Sequence, residues 1–274
     1  MDHFNFPTPP DSTFPAVHVW ADAILWLIAF GFLGYCILDG YRTRSALGVT
    51  LFAGGAIAYL NEPVDDVLGL VHHPRPGQNV VLETMGPVPM WGLPTYIIFF
   101  GAITYVFLRQ IQRKGFTFKA FWIGMVITWI MDFLVEIPLL YAGGGLYQYY
   151  SPGTIPMEFF RLPLYWLFIN TTGPILCAAI LYALPRYFTG WRTPFLLVLP
   201  LACDSACSIV VGIPVYSALH APAATDPIRW VAAFISCAIG LFMLDAFARW
   251  IKNTADRGHG ATAGVENRQV ASAV

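Results

Sequence analysis

The chain has 274 residues, of which 57% are hydrophobic and only 11% charged. In a soluble domain about a quarter of the residues carry charge, so the composition, with a mean hydropathy of +0.61, excludes a soluble protein and predicts an integral membrane protein. The net charge of -1 gives no reason to expect a nucleic-acid partner; the expected partners are the lipid bilayer and a lipophilic small molecule.

The first residues (MDHFNFPTPPDSTFP) have no basic n-region and no short apolar h-region, so they are not expected to be a cleavable signal peptide. Residues 1–16 read as a Pro-rich lead-in. A membrane span needs about 20 predominantly apolar residues. Seven such stretches follow: Val17–Leu38, Ala46–Leu70, Met90–Leu108, Phe118–Tyr141, Leu164–Leu184, Pro194–Leu219 and Ile228–Ile251. The expected fold is an all-α, seven-helix transmembrane bundle forming one domain over residues 17–251. The small, polar segment 252–274 is expected to be a disordered cytoplasmic tail.

Basic residues give the orientation, because short cytoplasmic loops are enriched in Lys and Arg. Twelve of the fifteen lie on one side: Arg42, Arg44, Arg109, Arg113, Lys114, Lys119, Arg186, Arg192, Arg249, Lys252, Arg257 and Arg268. Arg75, Arg161 and Arg229 are left for the other. The N-terminus is therefore expected outside and the C-terminus in the cytoplasm, in a membrane such as the bacterial plasma membrane. The two longest connections, His72–Pro89 and Gly143–Pro163, are then outer caps over the mouth of the bundle. The alternative is that they are plain connecting loops.

The second span closes on an unusual run, Tyr59-Leu60-Asn61-Glu62-Pro63-Val64-Asp65-Asp66. An acidic side chain at bilayer depth costs roughly 2.5–3.5 kcal/mol on insertion scales. Glu62 lies roughly 24 Å from the inner surface at ~1.5 Å of rise per residue, in the outer half of the membrane. Asp65 and Asp66 share its helical face, and Pro63 is expected to kink the helix. In the fourth span Asp132 and Glu136 form an i,i+4 pair at similar depth. Asn170 in the fifth span and Asp22 in the first lie in the outer half, and Asp204 in the sixth nearer mid-depth. Intramembrane carboxylates almost always face a bundle interior or a wet cavity. One polar pocket, walled by Trp, Phe and Tyr, is the simplest assembly.

No Lys lies within a span at that depth, so the acids must share protons, bind solvent or pair with Arg75 or Arg161. Close carboxylates in low dielectric cannot all ionise, and at least one should hold its proton near neutrality. A protonated acid beside an ionised one suits general acid–base catalysis. Asp66 reads equally well as a wet helix end. His72-His73 is better read as loop histidines than as a metal pair, since a zinc site wants three or four convergent ligands. No metal and no cofactor are expected. Asp245–Arg249 reads as a surface i,i+4 pair, with Asp39 near Arg42 read likewise. Gly54, Gly55 and Gly240 fit close helix packing. The five cysteines, without CxxC spacing, read as buried thiols.

Several short motifs recur together: Asn61-Glu62-Pro63; Gly86-Pro87-Val88-Pro89-Met90-Trp91; Asp132 and Glu136 followed by Gly145-Leu146-Tyr147-Gln148-Tyr149-Tyr150; Pro163-Leu164-Tyr165-Trp166 with Asn170; and Gly190-Trp191-Arg192. Over most of residues 55–215 the pattern resembles the AveC-type spirocyclase family of bacterial polyketide pathways. That resemblance implies a cofactor-free enzyme closing a spiroketal from a dihydroxy-ketone, sometimes with dehydration. Chemistry then suggests Glu62 and Glu136 as acid and base in either order, with Asp132 and Asp65 tuning them. Asn170, Asp204, Asp22, Tyr147, Trp91 and Trp166 are the expected substrate contacts. Integral membrane terpene cyclases, with aromatic walls stabilising carbocations, are the alternative enzyme class. A proton-coupled transporter or lipophile-binding protein is the third reading, against which stand the lack of a visible repeat and of helices broken in matched positions.

Overall fold

A computed structural model describes residues 9, 15–150 and 153–271, with side chains described from Ala16 to Arg257 apart from 151–152. Most of the N-terminal lead-in lies outside the described residues. Nine α-helices are described: α1 (Pro15–Thr43), α2 (Leu47–Ala58), α3 (Glu62–Gly69), α4 (Gly92–Tyr96), α5 (Thr104–Lys114), α6 (Phe118–Tyr141), α7 (Tyr165–Ala183), α8 (Phe195–His220) and α9 (Asp226–Ala271). Helix α9 therefore takes in most of the polar stretch after Lys252.

Among the described residues six helical stretches are long and apolar enough to cross a membrane: Ala16–Thr43, Gly92–Lys114, Phe118–Gly144, Tyr165–Ala183, Phe195–His220 and Asp226–Arg257. The chain is thus a multi-pass, predominantly helical membrane bundle. The remaining expected span, Ala46–Leu70, is not one helix. It breaks after Ala58 into a 3-10 turn, Tyr59–Asn61, and restarts as α3. Pro63 sits in the first turn of α3, where its missing N–H costs nothing. Upstream the same residue cannot continue an α ladder, and the 3-10 turn absorbs the mismatch.

Close approach of α2 to its neighbours depends on glycine. A Cβ on Gly55 would lie 2.9 Å from the Ile97 Cα, and one on Gly54 2.8 Å from Pro200. Helix α2 therefore sits directly against α8 and against a π-helical segment, Ile97–Ile103, that joins α4 to α5. The cysteines are buried and free of disulfides, in keeping with their apolar setting.

Among the described residues the two longest connections form three two-stranded antiparallel pairs. Strand β1 (Val71–His72) pairs with β4 (Gln148–Tyr149), β2 (Val80–Glu83) with β3 (Pro87–Pro89), and β5 (Glu158–Phe159) with β6 (Leu162–Pro163). The β1–β4 register matches Val71 to Tyr149 and His72 to Gln148. It ties the two outer loops to each other, and Gln78 donates to the Leu146 carbonyl at 2.9 Å to fasten them again. The caps are packed structure, with Leu146, Tyr147, Tyr149 and Leu162 all buried in the largest apolar cluster.

Candidate active site

The break in the second span puts the acidic face of α3 against a cavity of about 90 Å³. Its polar lining is Glu62, Asp65, Asp66, His73, Glu136 and Asn170, and its aromatic walls include Trp91, Tyr96, Phe99, Phe100, Tyr147, Tyr149 and Trp166. Carboxylates from two different helices, α3 and α6, thus share one cavity beneath the two joined loops. Trp166 is pressed into place by the absence of a side chain on α3: a Cβ on Gly69 would lie 2.4 Å from its ring.

The cation of the site is His73, one residue past β1. It is 4% exposed. Its Nε2 lies 3.1 Å from Asp66 Oδ1 and 3.5 Å from Glu62 Oε1. Burial opposes a charge on this imidazole, but Asp66 and Glu62 outweigh it and raise its pKa to about 10. The ring also meets Trp91 at 5.6 Å and Tyr147 at 6.0 Å between centroids. Two sequence expectations change here. The arginines proposed as counter-ions are engaged elsewhere: Arg75 pairs with Glu83 at 2.6 Å, and Arg161 reaches the Leu140 carbonyl. Asp66, equally readable as a wet helix end, is drawn into the cavity by His73.

Glu136 accepts a hydrogen bond from the Tyr147 hydroxyl at 2.5 Å. Burial, reinforced by the Glu136 charge, pushes the Tyr147 phenol well above its usual value, so it is a neutral donor. One turn before Glu136, Asp132 is fully buried and accepts from Asn170 Nδ2 at 3.4 Å, while its Oδ1 has no protein partner. Asn170 lines the cavity; Asp132 stands behind it.

A second polar layer backs α3. Asn61 donates through Nδ2 to Asp65 Oδ2 at 2.9 Å and to Asp204 Oδ2 at 3.0 Å, and its Oδ1 accepts from Ser205 at 3.1 Å. Ser208 donates to the other oxygen of Asp65, and the Tyr96 hydroxyl lies 3.5 Å from Oδ2. Two buried carboxylates held by one amide, with no cation beside them among the described residues, form an arrangement suited to sharing a proton. Asp204 is therefore part of the support for Asp65 and does not line the cavity.

Asp22 is not brought to the cavity either. It accepts from Asn79 Nδ2 at 3.0 Å and so holds the outer loop to α1. Of the expected substrate contacts, Trp91, Tyr147, Trp166 and Asn170 line the cavity. Trp166 Nε1 is buried with no protein partner, a donor in the wall for a bound acceptor. Sequence reasoning passed over His73, Tyr96 and Tyr149. The signal that could have found His73 was its position as a buried-capable cation in a loop facing uncompensated acids.

Glu62, Asp66 and His73 bring three ligand-type atoms within 4.8 Å of one another. Such a set could hold a divalent cation; with the imidazole protonated it is instead a closed ion-pair triad. In chemical terms the site offers carboxylates on facing walls, a fixed cation beside one of them, neutral phenol and indole donors, and apolar rings that exclude water. Comparison with protein-family models, curated proteins and solved structures finds no match for the chain, so what the site does has to be argued from this geometry.

Proposed function

We propose that the chain is a membrane-embedded, cofactor-independent cyclase that applies general acid–base catalysis to a lipophilic intermediate, with spiroketal closure of a dihydroxy-ketone as the reaction. The observation that carries this reading is the placement of Glu62 and Glu136, from separate spans, on one aromatic-walled cavity. The two acids differ in their partners: Glu62 faces His73 and Glu136 faces the Tyr147 hydroxyl. That asymmetry supports different protonation states for the pair, as acid–base catalysis needs. The motif likeness to the spirocyclase family points the same way.

In this scheme one hydroxyl adds to the ketone to give a hemiketal. Glu136, protonated and held by Tyr147, gives its proton to the hemiketal oxygen, which leaves as water. The second hydroxyl attacks the resulting oxocarbenium carbon, and its proton passes to the Glu62 carboxylate. One water is lost overall, and a proton transfer from Glu62 back to Glu136 resets the site. His73 Nε2, 3.5 Å from Glu62 Oε1, is the donor that faces this carboxylate throughout the cycle. Purified protein in lipid nanodiscs should convert an added dihydroxy-ketone to a product lighter by one water. Unchanged turnover in folded Glu62→Gln and Glu136→Gln proteins would sink the assignment. Conversion of an epoxy-prenyl substrate instead would move the reading to a terpene cyclase.

One observation favours a transporter as a second reading. The second span is interrupted at its polar residues, between Ala58 and Glu62, as are the substrate-binding helices of many secondary transporters. Movement of the dihydroxy-ketone into proteoliposomes with no change of mass would support it.

A further inference from the structure

The catalytic cavity, about 90 Å³, is well below the roughly 300–1,000 Å³ of sites that enclose a drug-sized ligand. It has room for a reacting head and little else. Directly beside it lies a larger apolar cleft of about 360 Å³, between the π segment with α5 on one side and α6 on the other. The cleft starts at Gly115–Thr117, in the basic loop assigned to the cytoplasmic side, and ends at Ile98 and Val135. From Thr117 to Val135 it follows α6 for about 27 Å. Charged side chains are absent from its lining.

Cavity and cleft share a wall. Phe99 lines both, and Val135 at the end of the cleft is the neighbour of Glu136 in the cavity. Phe99 and Val135 belong to one apolar cluster, so the partition between the two spaces is made of side chains. The π segment produces this arrangement. Its wider turn advances successive side chains differently from an α-helix, and within five residues it presents Phe99 and Phe100 to the cavity and Ala102 and Ile103 to the cleft.

We infer that the α5–α6 cleft is the binding subsite for the hydrocarbon chain of the substrate, which enters it from the cytoplasmic leaflet with its polar head passing Phe99 into the carboxylate cavity. This rests on the proposed reading of the cavity as the reaction site. It narrows the substrate to a molecule with an oxygenated head and a single long apolar chain. It also gives a product of cytoplasmic synthesis a path to carboxylates in the outer half of the membrane.

The test is photolabelling in nanodiscs with two probes. One is a β-hydroxy ketone on a hexadecyl chain with a terminal diazirine; the other is phosphatidylcholine carrying the same diazirine at the end of one acyl chain. The expected result is saturable labelling of Val106, Ile127 and Met131 by the first probe, competed by its unlabelled form, and only non-saturable labelling by the second. A side chain added at Gly124 would meet nothing nearer than Phe107 at 4.0 Å. Gly124→Phe should therefore fill the cleft without disturbing the helix and weaken saturable labelling about tenfold, as loss of two or more methylene contacts would. Ala102→Phe, on the facing wall, should do the same if Gly124→Phe fails to fold. Ile123→Phe, exposed to lipid and outside the cleft, should change nothing. Equal, non-saturable labelling by both probes would overturn the inference, because the cleft would then hold ordinary bilayer lipid. Saturable labelling that persists in a Glu62→Gln protein, together with unimpaired turnover there, would instead overturn the acid–base reading and leave the subsite standing.

Discussion

Two buried acidic clusters, at opposite ends of the bundle, are built on opposite principles. At one end Asp39 receives Tyr105 at 2.5 Å, Arg109 at 2.6 Å and Arg113, so one carboxylate meets two guanidinium groups and a phenol. At the other end Glu62 and Asp66 pair with His73, while Asp65, Asp132 and Asp204 have, among the described residues, no salt-bridge partner. The first cluster satisfies its charge and closes; it clamps α1 to α5. The second is short of positive charge and keeps unpaired acceptor and donor atoms, Asp132 Oδ1 and Trp166 Nε1, near an open cavity.

The strongest way to break this contrast is through activity. Glu62→Gln and Glu136→Gln should each lower turnover of a dihydroxy-ketone by about 10²–10⁴-fold, the usual contribution of a positioned acid or base. Asp39→Asn should leave turnover unchanged, measured on the same nanodisc preparation. Stability should show the reverse. Asp39→Ala strands Arg109, whose side chain is only 17% exposed, and should cost about 3 kcal/mol in denaturant unfolding. Asp132→Asn removes a group with no cation opposite it and should leave stability unchanged or raised.

His73 sharpens the comparison next. His73→Gln leaves Glu62 and Asp66 buried without a counter-charge and should cost about 3–5 kcal/mol. The pH dependence has a definite sign. An imidazole raised from 6.5 to about 10 contributes stability that is fully present below pH 6.5 and is lost as pH rises toward 10. Melting temperatures of wild type should therefore fall across that window more steeply than those of His73→Gln. The smallest effect concerns metal: as a closed ion-pair triad the Glu62–Asp66–His73 group should show no saturable rise in melting temperature with Zn²⁺ or Mg²⁺. A rise abolished in His73→Gln would make it a metal site.

How much of this was legible in the sequence depends on what kind of information each residue needed. Span α6 was readable to its last residue, Phe118–Tyr141, because length and hydropathy set it alone. The interruption at Tyr59–Asn61 was half visible: Pro63 announced a kink, but not that the chain would absorb it as a 3-10 turn upstream. Depth counting grouped Glu62, Asp65, Glu136 and Asn170, which line the cavity, with Asp22 in the same half and Asp204 nearer mid-depth, which do not. It could not separate the two groups, since helices apolar all round give no azimuth from sequence. His73 was harder to place for another reason. Only the two-residue ladder between β1 and β4 returns it over the bundle, and a strand of two residues leaves no periodic signal.

That ladder has one more consequence. Val71 and His72 are held to Tyr149 and Gln148, the next residue on one side is His73, and two residues back on the other is Tyr147. Lifting the outer cap would carry the imidazolium away from Glu62 and Asp66 and the phenol away from Glu136 in a single movement. Uncapping and discharging the site are then the same event, so any chemistry that depends on those two partners is confined to the capped form.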